Sequence, residues 1–227
     1  MKKLVVLSGA GISAESGIKT FRDADGLWEG HDVMEVASPQ GWYKNPELVL
    51  DFYNQRRAQL KEVQPNAAHT ILGELENHFD VHIITQNVDD LHERGGSTKI
   101  IHLHGELRKV RGEHSENELI HWEIDVKLGD LNKIGEQLRP AIVWFGEAVP
   151  EYEHAQQIVR QADIFIVIGS TLQVYPVAGL IHHIPKHCQA FYIDPKASHA
   201  AVPKQYQLIQ KTATQGMAQL FTQLISS

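Results

Sequence analysis

Two of the chain's 14 histidines, His102 and His104, stand at i and i+2 immediately before Gly105. In a strand this spacing puts both rings on one face, with the second at the strand's carboxyl mouth, where open α/β sheets bind ligands. Histidine suits general-base work near neutral pH, although a ring in this setting also serves structurally. Gln86, Asn87 and Asp89 follow another apolar strand. Carboxamides there can fix ribose hydroxyls and a water without adding charge, or they can cap a helix. The turn Gly9-x-Gly11-x-x-Ala14 follows four apolar residues, Leu4 to Leu7. Its small residues would permit a tight turn, close approach to a pyrophosphate, and close packing of a following helix whose N–H groups face the phosphates. Gly169-Ser170-Thr171 ends the most hydrophobic strand, where hydroxyls suit a phosphate or ribose, or simply turn the chain.

Tyr53 and Arg56 share a helix face at i and i+3. Converging in an apolar pocket, they would hold a carboxylate through charge-assisted hydrogen bonds. The plainer alternative is an exposed helix arginine, with Arg57 as its example.

The elements that must position these groups alternate. The pattern predicts helices over 45–60 and 65–78, strands over 81–85, 99–103, 141–145, 163–168 and 190–193, helices over 152–161 and 177–183, and a last amphipathic helix carrying Met217, Leu220, Phe221 and Leu224. This is an α/β chain with a doubly wound, mostly parallel, Rossmann-like sheet and a smaller inserted helical and irregular module. The expected division is a large lobe from about 1–25, 76–107 and 140–227, and a small lobe from 26–75 and 108–139. The last of these stretches is polar, with Leu119, Ile120, Trp122, Ile124 and Leu128 as its candidate core.

Composition narrows the class. A net charge of −7 over 227 residues gives no footprint for nucleic acid or an anionic membrane. Lys2-Lys3 precede too short an apolar run for a signal peptide, and no stretch reaches transmembrane length. The single cysteine, Cys188, leaves neither an internal disulfide nor a cysteine-rich metal site. A cytoplasmic protein is expected.

Four stretches in order resemble the sirtuins, NAD-dependent protein-lysine deacylases: Gly9-Ala10-Gly11-Ile12-Ser13 with Gly17-Ile18 and Thr20-Phe21-Arg22; Thr85-Gln86-Asn87-Val88-Asp89-Asp90-Leu91-His92; His102-Leu103-His104-Gly105-Glu106-Leu107; and Gly169-Ser170-Thr171-Leu172-Gln173-Val174-Tyr175-Pro176. The resemblance covers nearly the whole chain. It makes His104 the catalytic base and leaves His102 structural. It gives Asn87 a catalytic part and assigns the cofactor NAD to Gly9, Ala10, Gly11, Ser13, Glu15, Thr20, Phe21, Arg22, Gln86, Asn87, Asp89, Gly169, Ser170, Thr171 and Ala213. Gln86, Asn87 and Asp89 would line the nicotinamide and ribose pocket, and Phe21 would shield the reacting carbon from water. Where the family often has an asparagine beside the adenosine ribose, this chain reads Tyr192, with Asp194 a substitute.

The family's zinc module usually carries four cysteines in two C-x-x-C pairs. Here there are none, His114 and His121 are too few ligands, and no zinc is expected. Val143, Phe145, Gly146 and Glu147 resemble the strand that pairs with a substrate peptide. Tyr53-x-x-Arg56, with Ala37 and Asp25-Gly26-Leu27-Trp28, resembles the subgroup that removes acidic acyl groups such as succinyl. The implied reaction has the acyl oxygen attack the ribose C1′ of NAD, expelling nicotinamide. His104 takes a proton from the ribose hydroxyl chain, and water then resolves the adduct to lysine and O-acyl-ADP-ribose. The rival expectations are an NAD or ADP-ribose binding module without turnover, and an NAD hydrolase or ADP-ribosyltransferase. The oligomeric state is not legible.

Overall fold

The computed structural model describes residues 1–19, 27–28, 30–115 and 118–226. Taken in order, the elements are β1 (Lys3–Ser8), β2 (Leu27–Trp28), β3 (His31–Asp32), α1 (Val33–Val36), α2 (Pro39–Lys44), α3 (Pro46–Gln59), α4 (Ala67–Glu74), β4 (Asp80–Thr85), α5 (Leu91–Arg94), β5 (Ile100–His102), β6 (Gly105–Gly112), β7 (Ile120–His121), β8 (Leu138–Ile142), α6 (Tyr152–Val159), β9 (Ile164–Ile168), β10 (Gln189–Ile193), β11 (Tyr206–Ile209) and α7 (Ala213–Ile225). No helix among the described residues is long and apolar enough to cross a membrane.

Six parallel strands form the main sheet in the order β5-β4-β1-β9-β10-β11, so the strand order reverses direction between β1 and β9. This is the doubly wound order, whose reversal point opens a crevice at the carboxyl ends of the two strands. The continuous apolar run of β1 is explained by burial on both faces. Val5 and Leu7 pack with α6 and the 3-10 segment Val177–His182, while Leu4 and Val6 pack with α4 and α7. α3 is framed at its start by Asn45, whose side chain accepts from the Leu48 N–H, and by Pro46 behind it.

A second body is built from α1 to α3 and the antiparallel sheet β7-β6-β8 around Phe52, Tyr53, Leu107, Val110, Val126, Leu138 and Trp144. Here several expectations change. Residues 141–145 are not a strand of the main sheet; β8 lies earlier, pairs with β6, and ends at Ile142. Of the five candidate core residues in 108–139, Leu119, Ile124 and Leu128 are exposed, while Ile120 and Trp122 pack at the edge of this cluster. The segment instead buries Val110, Val126 and Leu138, and polar side chains satisfy its backbone groups. Asn54 bonds both the N–H and the carbonyl of Val126, at 2.9 Å each, and Gln137 reaches the Lys127 and Leu138 carbonyls. With few apolar anchors along the segment, the backbone groups between them are satisfied by such bonds.

Three further differences concern local geometry. α4, assigned by sequence to the small lobe, lays Ala68 and Leu72 on the main sheet beside α7. The residues after Gly9 form two 3-10 turns, Ala10–Ile12 and Ala14–Ser16, rather than an α-helix, and Val177–His182 is also 3-10. In the first case the Gly11 N–H is spent on the Gly169 carbonyl at 2.8 Å, and Gly17 ends the run at φ +95°. β6, β7 and the edge strand β11 went unforeseen because their sequences lack an apolar run.

Arg57 is not the exposed helix arginine expected. It is 1% exposed, and its Nε donates to the Leu107 carbonyl at 2.9 Å while Nη1 donates to Asn54 Oδ1 at 2.8 Å. Burial brings its guanidinium down to about 10. Arg57→Met, which keeps the stem and removes these donors, should cost about 2–4 kcal/mol of stability in urea unfolding. A loss below about 0.5 kcal/mol, the level of an ordinary surface substitution, would show that Arg57 does not hold the second body together.

Candidate active site

At the strand reversal the turns after β1 and β9 pass almost in contact. A Cβ on Gly9 would stand 2.8 Å from the Gly169 oxygen, and one on Gly11 would stand 2.7 Å from the Gly169 Cα. Gly169 itself sits at φ +62°. The glycines are therefore required first by each other, a more immediate reason than approach to a pyrophosphate. The Gly9 N–H donates to the Ile168 carbonyl at 3.0 Å, completing the link between the turns.

Around this junction the polar side chains form two bonded groups. Gln86 Nε2 donates to Ser170 Oγ at 2.9 Å. Ser13 Oγ donates to Asp89 Oδ2 at 2.9 Å and accepts from Asn87 Nδ2 at 3.2 Å. Asp89 also accepts from the Leu91 N–H at 3.1 Å, so it both caps a turn and faces the site. Burial raises its carboxyl to about 6, against the hydrogen bonds of Leu91 and Ser13. Thr85 Oγ1 accepts the Asn87 N–H at 3.0 Å.

His104 stands in the turn between β5 and β6, not within a strand, while His102 is the last residue of β5. His104 Nδ1 lies 3.1 Å from the Gln86 carbonyl. A carbonyl only accepts, so Nδ1 carries the hydrogen and Nε2 keeps its lone pair. Burial lowers the pKa of this ring, and the Gln86 carbonyl opposes that only in part. The result is a neutral imidazole in a fixed tautomer, able to accept a proton through one defined atom.

The remaining expected site residues divide. Glu15 receives the N–H and hydroxyl of Thr214 at 2.9 and 2.7 Å, tying the first turns to the start of α7, where Ala213 is buried. Tyr192 is buried, and its hydroxyl donates to the Ser170 carbonyl at 3.0 Å, a supporting position behind the turn. A cavity of about 350 Å³ is lined by Thr171, Gln173, Tyr192, Asp194, Lys196 and Ala201. Tyr53 is fully buried among aromatic rings and accepts from Trp144 Nε1 at 3.0 Å. Arg56 is half-buried with its guanidinium 4.9 Å from the Phe52 ring centre. Thr20, Phe21, Arg22, Asp25 and Gly26 lie outside the described residues.

In the 143–147 segment the Val143 N–H is spent on the His104 carbonyl and the Phe145 N–H on the Ala37 carbonyl, both at 2.9 Å. Phe145 is exposed and Gly146 sits at φ +91°. Glu147 faces inward and accepts from Arg139 Nη1 at 2.8 Å, Arg139 Nη2 at 3.2 Å and the Trp144 N–H at 2.8 Å, with Arg111 at 3.4 Å. Sequence reasoning missed this clamp because Arg111 and Arg139 are far from Glu147 along the chain or lie across a turn. His114 and His121 are both exposed, and His121 pairs with Glu123. Among the described residues, three metal-ligating side chains converge only at Glu93, His102 and Glu106. These are already paired, His102 with Glu93 and Glu106 with Lys109.

A parallel sheet in this order, with its polar groups gathered at the reversal, defines a Rossmann-like nucleotide-binding class. Comparison with known proteins narrows it. A family model described as the Sir2 family matches residues 9–176. An NAD-dependent protein deacylase of Helicobacter pylori is 63% identical over 225 residues, spanning 99% of this chain and 98% of that protein. One of Bacteroides thetaiotaomicron is 52% identical over 231 residues, spanning 99% of each. A solved structure described as a Sir2 homolog–NAD complex superposes with a TM-score of 0.88 at 40% identity, over 99% of this chain and 90% of that one. The chain belongs to the Sir2 family.

Glu147→Ala leaves the buried Arg139 without its carboxylate and should lower stability by about 2–4 kcal/mol, with Glu147→Gln losing less. Thermal unfolding of both variants checks this, and an unchanged midpoint in Glu147→Ala would contradict the clamp.

Proposed function

We propose that this protein removes acyl groups from protein lysines at the expense of NAD, with succinyl-lysine favoured and acetyl-lysine also accepted. The observation that carries the reading is His104, fixed as a neutral base by the Gln86 carbonyl beside the bonded Ser13–Asn87–Asp89 group and the Gln86–Ser170 pair. NAD, consumed as co-substrate, supplies the ribose carbon that receives the acyl oxygen. The donor set suits it: hydroxyls and carboxamides for ribose and nicotinamide, and small residues where the turns crowd.

The residues divide the labour. Asn87 and Asp89, linked through the Ser13 hydroxyl, orient the ribose side of the pocket, and Asn87 presents its carboxamide to the reacting hydroxyl and its water. His104 takes the proton from the ribose hydroxyl through Nε2. Gly9, Ala10, Gly11, Gly169, Ser170 and Thr171 receive the phosphates and the second ribose, with Glu15 and Ala213 holding the adenosine end in place. Tyr53 accepts from Trp144, so its own hydrogen is directed away from the indole, and with Arg56 it recognises the acyl carboxylate. Val143 and Phe145 take the peptide through their carbonyls, their N–H groups being already bonded, together with the backbone of Gly146, and Glu147 buttresses them. Thr20, Phe21 and Arg22, outside the described residues, are assigned to NAD on the sequence resemblance alone. We place the reaction between a sheet-bearing lobe and the body of α1 to α3 and β6 to β8, in the cytoplasm, without nucleic acid or membrane.

Incubation with NAD and, in parallel, succinyl-lysine, acetyl-lysine and unmodified peptides tests the reading by mass spectrometry. Deacylated peptide and nicotinamide should form only with acylated peptide. Nicotinamide release without it would indicate an NAD hydrolase or transferase, and NAD binding without turnover a binding module. His104→Ala should abolish turnover with the fold intact. In the wild type the rate should fall on acidification as His104 gains a proton. Since burial holds its pKa below the ordinary value of about 6.5, the fall should come below that pH. Arg56→Met should cost desuccinylation about 2–4 kcal/mol in kcat/KM and deacetylation far less, whereas equal losses would remove Arg56 from carboxylate recognition.

A further inference from the structure

His102, left without a chemical task by the sequence, is bonded at both ring nitrogens to groups that only accept. Its Nε2 lies 2.6 Å from Glu93 Oε1, and its Nδ1 lies 3.3 Å from the carbonyl oxygen of Asn87. Neither tautomer of a neutral ring donates at both positions, so the geometry is that of an imidazolium. The short contact to the carboxylate is that of a charge-assisted bond.

The preceding peptide, which carries the Asn87 N–H, is held as well, so Asn87 is fixed on both sides of its Cα. The Asn87 N–H donates to Thr85 Oγ1, which also accepts from the Ser8 hydroxyl at 2.8 Å. Ser8 Oγ in turn lies 2.8 Å from His92 Nε2. Because the Ser8 hydrogen goes to Thr85, His92 is the donor here, and it remains neutral. α5 thus carries both anchors side by side: His92 acts through Ser8 and Thr85 on the N–H of Asn87, and Glu93 acts through His102 on its carbonyl.

We propose that His102 is a positioning residue kept protonated between Glu93 and the Asn87 carbonyl, and that its charge fixes the Asn87 carboxamide for the reaction. The proposal rests on the part given to Asn87 above. Loss of the His102 proton releases one of the two bonds and lets the Asn87 peptide turn, so kcat falls at high pH while His104 governs the acid side.

The groups facing His102 agree with this. Glu93 of α5 and Glu106 of β6, the latter 4.0 Å away, are anionic. Lys109 neutralises part of Glu106, Asp89 lies near enough to feel the charge, and His92 is neutral. Burial alone would lower the pKa of His102, but Glu93, Glu106 and the Asn87 carbonyl together hold it above the ordinary value.

The test combines nitrogen-15 NMR of the histidine rings with pH profiles of kcat and of KM for NAD. In the wild type at pH 7.5 both His102 nitrogens should carry hydrogens while His104 is neutral. Glu93→Gln should bring the alkaline fall in kcat down by about 1–3 pH units and leave the acid limb in place. His102→Leu should lower kcat about 10–100-fold, with KM for NAD changed less than about twofold. His102→Gln, which keeps one donor toward Asn87, should recover part of that loss, and neither His102 variant should retain the alkaline limb. Thermal unfolding of each variant separates misfolding from misplacement. A neutral His102 ring at pH 7.5, or a Glu93→Gln profile that superposes on the wild type, would overturn the proposal. Absence of any NAD-dependent turnover by the wild type would overturn the functional reading and this role with it, a result distinct from an active enzyme with an unmoved profile.

Discussion

Where the turn after β1 meets the turn after β9, the backbones approach too closely for any side chain between them. Gly9 and Gly11 press on Gly169, and the Gly11 N–H is bound to the Gly169 carbonyl. This contact sets the width of the crevice at the strand reversal. It also turns the chain so that Ser13 faces Asn87 and Asp89, and Ser170 faces Gln86. The polar groups assigned to the ribose and the proton transfer, Ser13, Asn87, Asp89 and His104, hang from the first of these turns or follow the ends of β4 and β5 beside it. Close backbone packing thus substitutes for the long phosphate-binding helix of an ordinary dinucleotide fold, since the chain here makes only short 3-10 turns.

The site combines neutrality with burial. His104 and His92 are held uncharged by desolvation, Asp89 is weakened as an acid, and charge is concentrated in the pairs Glu93–His102 and Arg139–Glu147. These pairs do not face the reaction directly. They hold the peptides that do, which is the economical use of a buried charge, because its desolvation cost is offset by a partner in a defined position.

Much of this was legible in the sequence because it is written in local pattern. The apolar runs of β1 and β9 declare strands buried on both faces, Asn45-Pro46 declares the start of α3, and Gly-x-Gly followed by Ser declares the turn. What escaped has no local signature. β6 is polar and mixed in charge, and it is a strand because β7 and β8 lie against it. Leu119, Ile124 and Leu128 were expected in a core that Val110, Val126 and Leu138 join instead, and Arg57, expected at the surface, is with Asn54 and Gln137 a structural tie. Glu147 read as a residue for substrate, and its inward ion pairs become visible only once Arg139 and Arg111 are brought beside it. Side-chain to backbone pairing across long separations cannot be read from spacing.

The ties from α3 to the 107–126 stretch are amide and guanidinium groups set on carbonyls and N–H groups. Such groups neither oxidise nor exchange ligands, so peroxide, thiol reagents and chelators find nothing to attack in them. The same helix carries Tyr53 and Arg56. These ties are therefore indifferent to redox conditions, and they answer to heat and denaturant rather than to the thiol balance of their surroundings.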